Sequence, residues 1–169
     1  VAAIIIAAAN SLIADASPLI SLARVNGLGW LEALFGQVLV TEEVMAEVLS
    51  GGYPAREEPI QAAIASGWLK AVAVDSSEPA LPDLDEGEAA SIRLALISGP
   101  QTLLLIDERA GRAVAAEFGI KVAGTAAVIG MARQRRLIDS ARAVFAELHA
   151  NDFRIAPAVI QAVLERCGE

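Results

Sequence analysis

A chain of 169 residues with 55% apolar and 20% charged side chains is long enough to bury one core, and too apolar for a disordered segment. A net charge of −8 argues against a general, sequence-blind binder of polyanions. A single cysteine, Cys167, excludes a disulfide framework or a cysteine-rich zinc site within one chain. The charge is uneven: residues 1–100 carry 4 Lys+Arg against 13 Asp+Glu, net −9, while residues 101–169 carry 9 against 8, net +1.

Aromatic residues make up only 4%, so the core has to be aliphatic. Val1–Ala9 is wholly apolar, shorter than the ~20 residues that span a bilayer, and without the basic leader of a signal peptide. Residues 1–10 read as an N-terminal extension, and no membrane role is expected. Leu12–Ala14 is a first strand ending at Asp15. Ser17-Pro18 starts a helix, with Ser as cap and Pro in the first turn, and Asn26-Gly27 stops it. Trp30–Phe35 is a short amphipathic turn or helix. Gln37–Val40 is a second strand, and Thr41 caps the next helix, with Glu42 and Glu43 in its first turn and Gly51-Gly52 at its end.

A further helix is expected near Pro59–Ser66, then an edge strand over Leu69–Val74 and an acidic, Pro-containing loop to Leu84. Asp85-Glu86-Gly87-Glu88 opens a helix to about Ser98, which Gly99-Pro100 breaks. Thr102–Ile106 is a continuous aliphatic run, as in a strand buried on both faces, and Asp107 follows it. A helix over Arg109–Phe118, a short strand over Ile120–Ala123, a helix from Gly124-Thr125 to Gln134, and helices near Ser140–Ala150 and Pro157–Arg166 complete the chain. Strands alternating with helices predict an α/β domain built on a parallel sheet. Residues 11–138 form its core and 139–169 add C-terminal helices to the same domain. There is no internal repeat, linker or low-complexity tract.

Asp15 and Asp107 both stand just past strand ends, where open parallel sheets bind their ligands. Read alone, each is equally a cap for the helix that follows. Glu47 lies between apolar positions of a helix, on what is equally a solvated face. Asp85-x-x-Glu88 has the form of a capping box, which by itself accounts for Glu88. His149 is the sole histidine, so a pair of histidines cannot act as acid and base, and a structural or exposed place is expected for it.

Several segments resemble the PIN-domain family, of a subfamily of small prokaryotic proteins. Ile13-Ala14-Asp15-Ala16-Ser17-Pro18 resembles its opening motif, and Thr41-Glu42-Glu43-Val44-Met45-Ala46-Glu47 its second. Asp85-Glu86-Gly87-Glu88 resembles the third, Ile106-Asp107-Glu108-Arg109 the fourth, and Gly124-Thr125 the segment that follows. The order and spacing of the set carry the resemblance, over residues 11–138. At the fourth motif the run Asp107-Glu108-Arg109-Ala110 departs from the second Asp and Phe found in many PIN toxins.

The resemblance implies a three-layer α/β/α fold that gathers Asp15, Glu47, Glu88 and Asp107 into one pocket. It implies Mg²⁺ or Mn²⁺ bound by Asp15, Glu88 and Asp107, with Glu47 a ligand through water or a base. Ser17, Glu108, Thr125, Arg109 and Arg112 would support those groups or touch substrate. An all-oxygen donor set suits these cations better than zinc. Arg109, Arg112, Arg133, Arg135 and Arg136 would form a positive rim or, equally, a solvated helix face. The implied activity is cleavage of single-stranded or structured RNA by a cytoplasmic toxin of the VapC type, a homodimer held in check by a small antitoxin. Alternatives are a non-catalytic PIN-like binding module and an aspartate-based phosphohydrolase. The haloacid dehalogenase pattern wants an Asp where Ser17 stands, and a receiver domain wants an acidic pair that Ser11-Leu12-Ile13 lacks.

Overall fold

The short aliphatic runs pair into one sheet in the computed structural model, which describes residues 11–169; the apolar stretch 1–10 lies outside the described residues. The strands β1 (Ser11–Ala14), β2 (Val38–Thr41), β3 (Leu69–Val72), β4 (Thr102–Leu105) and β5 (Lys121–Ala123) lie in the order β3-β2-β1-β4-β5. Every pairing is parallel, and Leu12 stands between Val38 and Leu103. Parallel neighbours require crossovers, which helices supply. These are α1 (Ala16–Arg24), α2 (Leu28–Phe35), α3 (Glu42–Val48), α4 (Pro54–Ala65), α5 (Glu86–Ser98) and α6 (Arg109–Glu117). After β5 come α7 (Thr125–Gln134), α8 (Ala141–Ala150) and α9 (Pro157–Cys167).

The period-two alternation of strand side chains divides the core in two. Leu12, Ala14, Val38, Val40, Leu103 and Leu105 face one layer, against α1, α2, α3, α4 and α7. Ile13, Leu104 and Ile106 face the other, against Ile92 and Leu94 of α5 and Ala115 of α6. The result is a three-layer α/β/α fold. A third apolar cluster lies outside the sheet: Ala126 and Ile129 of α7 meet Phe145 and Leu148 of α8 and Leu164 of α9. Among the described residues no helix is long and apolar enough to cross a membrane.

Three local expectations change. Ser17 does not cap α1; the helix starts at Ala16, and Asp15 takes the N-cap position. Ser-Pro marks the first turn without saying which residue precedes it. The helix expected at Pro59 begins at Pro54, leaving Pro59 inside α4. Both prolines suit a first turn, and the earlier one takes it. The edge strand β3 ends at Val72, short of Val74. Thr41 does cap α3, its Oγ1 accepting from the Val44 N–H at 3.2 Å.

The chain runs from β1 outward through β2 to β3, then returns past β1 to lay down β4 and β5. Strand order therefore reverses between β1 and β4. Helices leave these two strands toward opposite sides, and a crevice opens at their carboxyl ends.

Candidate active site

Asp15 extends β1 by one residue: its backbone N–H donates to the Leu105 carbonyl at 2.9 Å. The side chain is 3% exposed and makes no capping bond to α1. A carboxylate held there has lost its hydration. Burial, joined by the charges of Asp85, Glu88 and Glu47, raises its pKa from 3.8 to about 7 against the pull of the Ala16 backbone amide.

Glu88 has two duties. Its backbone N–H donates to Asp85 Oδ1 at 2.8 Å, and its Oε2 accepts from the Asp85 N–H at 3.3 Å, which completes the capping box of α5. Its Oε1 looks toward α6, where a Cβ added to Gly111 would stand 2.9 Å from it. Only 5% of the residue is exposed. Burial, Asp85, Glu108 and Glu47 raise its pKa, and the Asp85 backbone bond opposes them. Glu47 reaches from the last turn of α3 to the start of α5, where a Cβ on Gly87 would meet its Oε2 at 3.2 Å. Partial burial and Asp85 raise its pKa too, with Arg56 opposing.

Asp107 stands two residues past β4 and is held from the far side. Its Oδ1 accepts from the Thr125 N–H at 2.8 Å and its Oδ2 from the Thr125 hydroxyl at 2.7 Å. Burial raises its pKa; both Thr125 bonds and Arg112 lower it, and Glu108 raises it. Thr125 is itself fully buried and lies 3.1 Å, oxygen to oxygen, from Ser21 of α1. A hydroxyl has one hydrogen. With that of Thr125 given to Asp107, Ser21 Oγ has one hydrogen to divide among Thr125 Oγ1 at 3.1 Å, the Ser17 carbonyl at 2.9 Å and the Pro18 carbonyl at 3.1 Å. Arg112 sends its Nη1 to the Ile106 carbonyl at 2.9 Å, which places a guanidinium beside Asp107.

The structure thus brings Asp15, Glu47 and Glu88 within electrostatic reach across sequence gaps of 32 and 41 residues. Asp107 lies at the neighbouring strand end with its carboxylate turned to Thr125, and Glu108 acts on both Asp107 and Glu88. Asp85, read from the sequence only as a cap, is a fifth acid that acts on Asp15, Glu47 and Glu88. Ser21 was also unforeseen, since its partner Thr125 lies 104 positions away in the sequence. Ser17 makes no side-chain hydrogen bond among the described residues, and its carbonyl accepts from Ser21 Oγ at 2.9 Å. Arg109 is exposed at the start of α6. Arg133, Arg135 and Arg136 sit at the far end of α7, a helix of ten residues, and so roughly 15 Å from Thr125. Arg133 is engaged there with Glu169 at 2.9 Å. His149 accepts the Ile155 N–H at 3.3 Å, a structural role. Cys167 is a free, half-buried thiol in α9.

Among the described residues no three His, Cys, Asp or Glu side chains are gathered closely enough to hold a metal ion as they stand. Like charges in a part-buried pocket stand apart until a proton or cation intervenes; two carboxylates ~4 Å apart repel by ~4 kcal/mol at an effective dielectric of 20. The donor set nevertheless fits a hard divalent cation. It is all oxygen, it is desolvated, and its acids raise one another's pKa.

A family model described as a PIN domain matches residues 11–169. Searches of curated proteins and of solved structures found no match. The matched span takes in all five strands and the C-terminal helices α8 and α9. The chain belongs to the PIN-domain family, whose members are generally nucleases.

Proposed function

We propose that this protein is a divalent-metal-dependent endoribonuclease, and that it serves as the toxin of a VapC-type toxin–antitoxin pair in the cytoplasm. The observation that carries the nuclease reading is Asp15. A carboxylate 3% exposed at the reversal point of the sheet, surrounded by Glu47, Asp85 and Glu88, is costly to the fold unless a cation or proton sits with it.

Asp15, Glu88 and Asp107 would hold Mg²⁺ or Mn²⁺, with Glu47 acting through water or as a base. When bound, the cation supplies a water of lowered pKa and stabilises charge on the leaving oxygen of a phosphodiester. The chain's own part is positioning. The β-ladder fixes Asp15, the capping box fixes Glu88, and Thr125 leaves Asp107 no free rotation. Arg112 presents a positive charge beside Asp107. Single-stranded or structured RNA is the proposed substrate. A small antitoxin would cover the acidic pocket, and pairing of two copies is proposed for the toxin.

The separated arrangement of the carboxylates favours a second reading, a non-catalytic PIN-like binding module. Cleavage of labelled RNA by wild type and Asp15→Asn, purified identically and assayed with Mg²⁺, Mn²⁺ or EDTA, decides between them. The nuclease reading expects metal-dependent cutting that Asp15→Asn loses. Equal cutting by both proteins identifies a contaminant and leaves the binding module.

A further inference from the structure

A groove of about 590 Å³ opens directly beside Asp107, between the start of α7, the 153–156 segment and α9. Alanine and valine side chains form most of its lining. Arg112, Arg154 and Arg166 bring three guanidinium groups to it, and Phe153 brings an aromatic ring. Val159 lies open to solvent there, 46% exposed.

Three features point to one occupant. First, the charge is opposite to that of the rest of the protein: no acid except Asp107 lines a groove with three arginines, on a chain of net charge −8. Among the described residues none of these arginines is in an ion pair, and residues 1–10 contain no acid that could supply one. Second, the wall is built rather than loose. Phe153 N–H donates to the Leu148 carbonyl at 3.0 Å, Ile155 N–H to the His149 ring at 3.3 Å, and Arg24 Nη1 to the Asn151 carbonyl at 3.0 Å. Third, the groove adjoins the site: Asp107, one of the proposed cation ligands, lines it together with Arg112.

We infer that this groove holds a nucleotide of single-stranded RNA next to the phosphodiester at the carboxylates, its base on the apolar floor by Phe153 and Val159 and its phosphates on Arg154 and Arg166. The choice of RNA rests on the nuclease reading; the groove's attraction for a polyanion with flat apolar bases does not. Stacked or apolar base contact together with backbone charge is how single strands are held without sequence reading. The groove also answers the difficulty posed by the charge of −8, since it places local positive charge where the whole molecule has none to spare.

The test is fluorescence anisotropy of a labelled oligouridylate in EDTA, at salt from about 50 to about 200 mM. Wild type is compared with Arg154→Ala/Arg166→Ala, its Lys/Lys counterpart, and Val159→Asp. All three positions are exposed, and thermal melts check the fold. The double Ala variant is expected to bind about tenfold more weakly and to flatten the salt slope by about 1.4, two single-strand contacts at ~0.7 each. Val159→Asp weakens binding likewise, and Lys/Lys retains the slope. In cleavage assays the double Ala variant raises KM and keeps kcat. Unchanged affinity and slope in the double Ala variant overturn the inference, as does wild type that binds no oligouridylate at any concentration. The two readings fail separately. Groove-dependent binding without metal-dependent cleavage sinks the nuclease alone. Asp15-dependent cleavage with groove variants that bind as wild type sinks the groove alone.

Discussion

Replacing Asp15 with Asn should make the metal-free protein more stable, by an amount that depends on pH. Burial pushes the Asp15 carboxyl up to about 7 in the folded state, from an ordinary 3.8. As pH rises through 4, the unfolded chain gives up this proton while the folded chain retains it. Stability linked to Asp15 is therefore complete below pH ~4, lost between ~4 and ~7, and constant above. Three units at 1.36 kcal/mol each set a ceiling of about 4 kcal/mol for that loss. Asn carries no such titration. Its N–H₂ can donate to a neighbouring carboxylate that Asp15 only repels. Against this, buried amide hydrogens that find no partner cost ~1–3 kcal/mol. The net gain at pH 8 is expected at about 1–3 kcal/mol, which for a domain of this length raises Tm by roughly 3–10 °C. At pH 4 the gain should vanish or reverse. The assay is a series of thermal melts in EDTA from pH 4 to 8, repeated with Mn²⁺. With Mn²⁺ the wild type recovers stability by ligand linkage and the variant recovers much less. An Asn variant that melts at or below wild type at pH 8, or that gains equally at pH 4, would refute the electrostatic account of the pocket.

Thr125→Val keeps the shape of a fully buried side chain but removes the hydroxyl bond to Asp107 Oδ2 and the contact with Ser21. It should cost about 1–3 kcal/mol by denaturant melts and cut kcat for RNA about tenfold with KM little changed, while Thr125→Ser restores most of both; a fully active Val variant would show that Asp107 needs no such support. Gly111→Ala places a Cβ 2.5 Å from Ile106 Cδ1 and 2.9 Å from Glu88 Oε1, so α6 has to move outward or both Ile106 and Glu88 have to turn. A loss of about 1–3 kcal/mol is expected, measured by chemical unfolding, together with weaker Mn²⁺ stabilisation; wild-type stability would mean that the close approach of α6 is dispensable.

The sequence made some of these features plain because one local cause produced them. The run Thr102–Ile106 reads as a buried strand because both its faces are covered, by helical side chains such as Leu19 and Val128 on one side and Ile92 on the other. Thr41 and Asp85 announce their helices through oxygens that accept backbone N–H groups three residues on. What stayed hidden depends on distant partners. The strand order β3-β2-β1-β4-β5 follows from which crossovers pass which side of the sheet, and no window of residues records that. The same is true of Ser21, which meets Thr125 across 104 positions. Asp85 was seen as a cap because capping is local; its charge on Asp15 exists only after α5 has packed beside β1. Arg133, Arg135 and Arg136 were read as part of a positive rim or as a solvated helix face, and a straight helix carries them away from Thr125 and the carboxylates.

The Ser21–Thr125 contact has a mechanical consequence. Asp15 immediately precedes α1, and Asp107 is fastened to the first residue of α7; the two hydroxyls, 3.1 Å apart, join those helices. Sliding either helix along its axis breaks this contact at a cost of about 1 kcal/mol, so the pair of hydroxyls favours one spacing between the ends of β1 and β4.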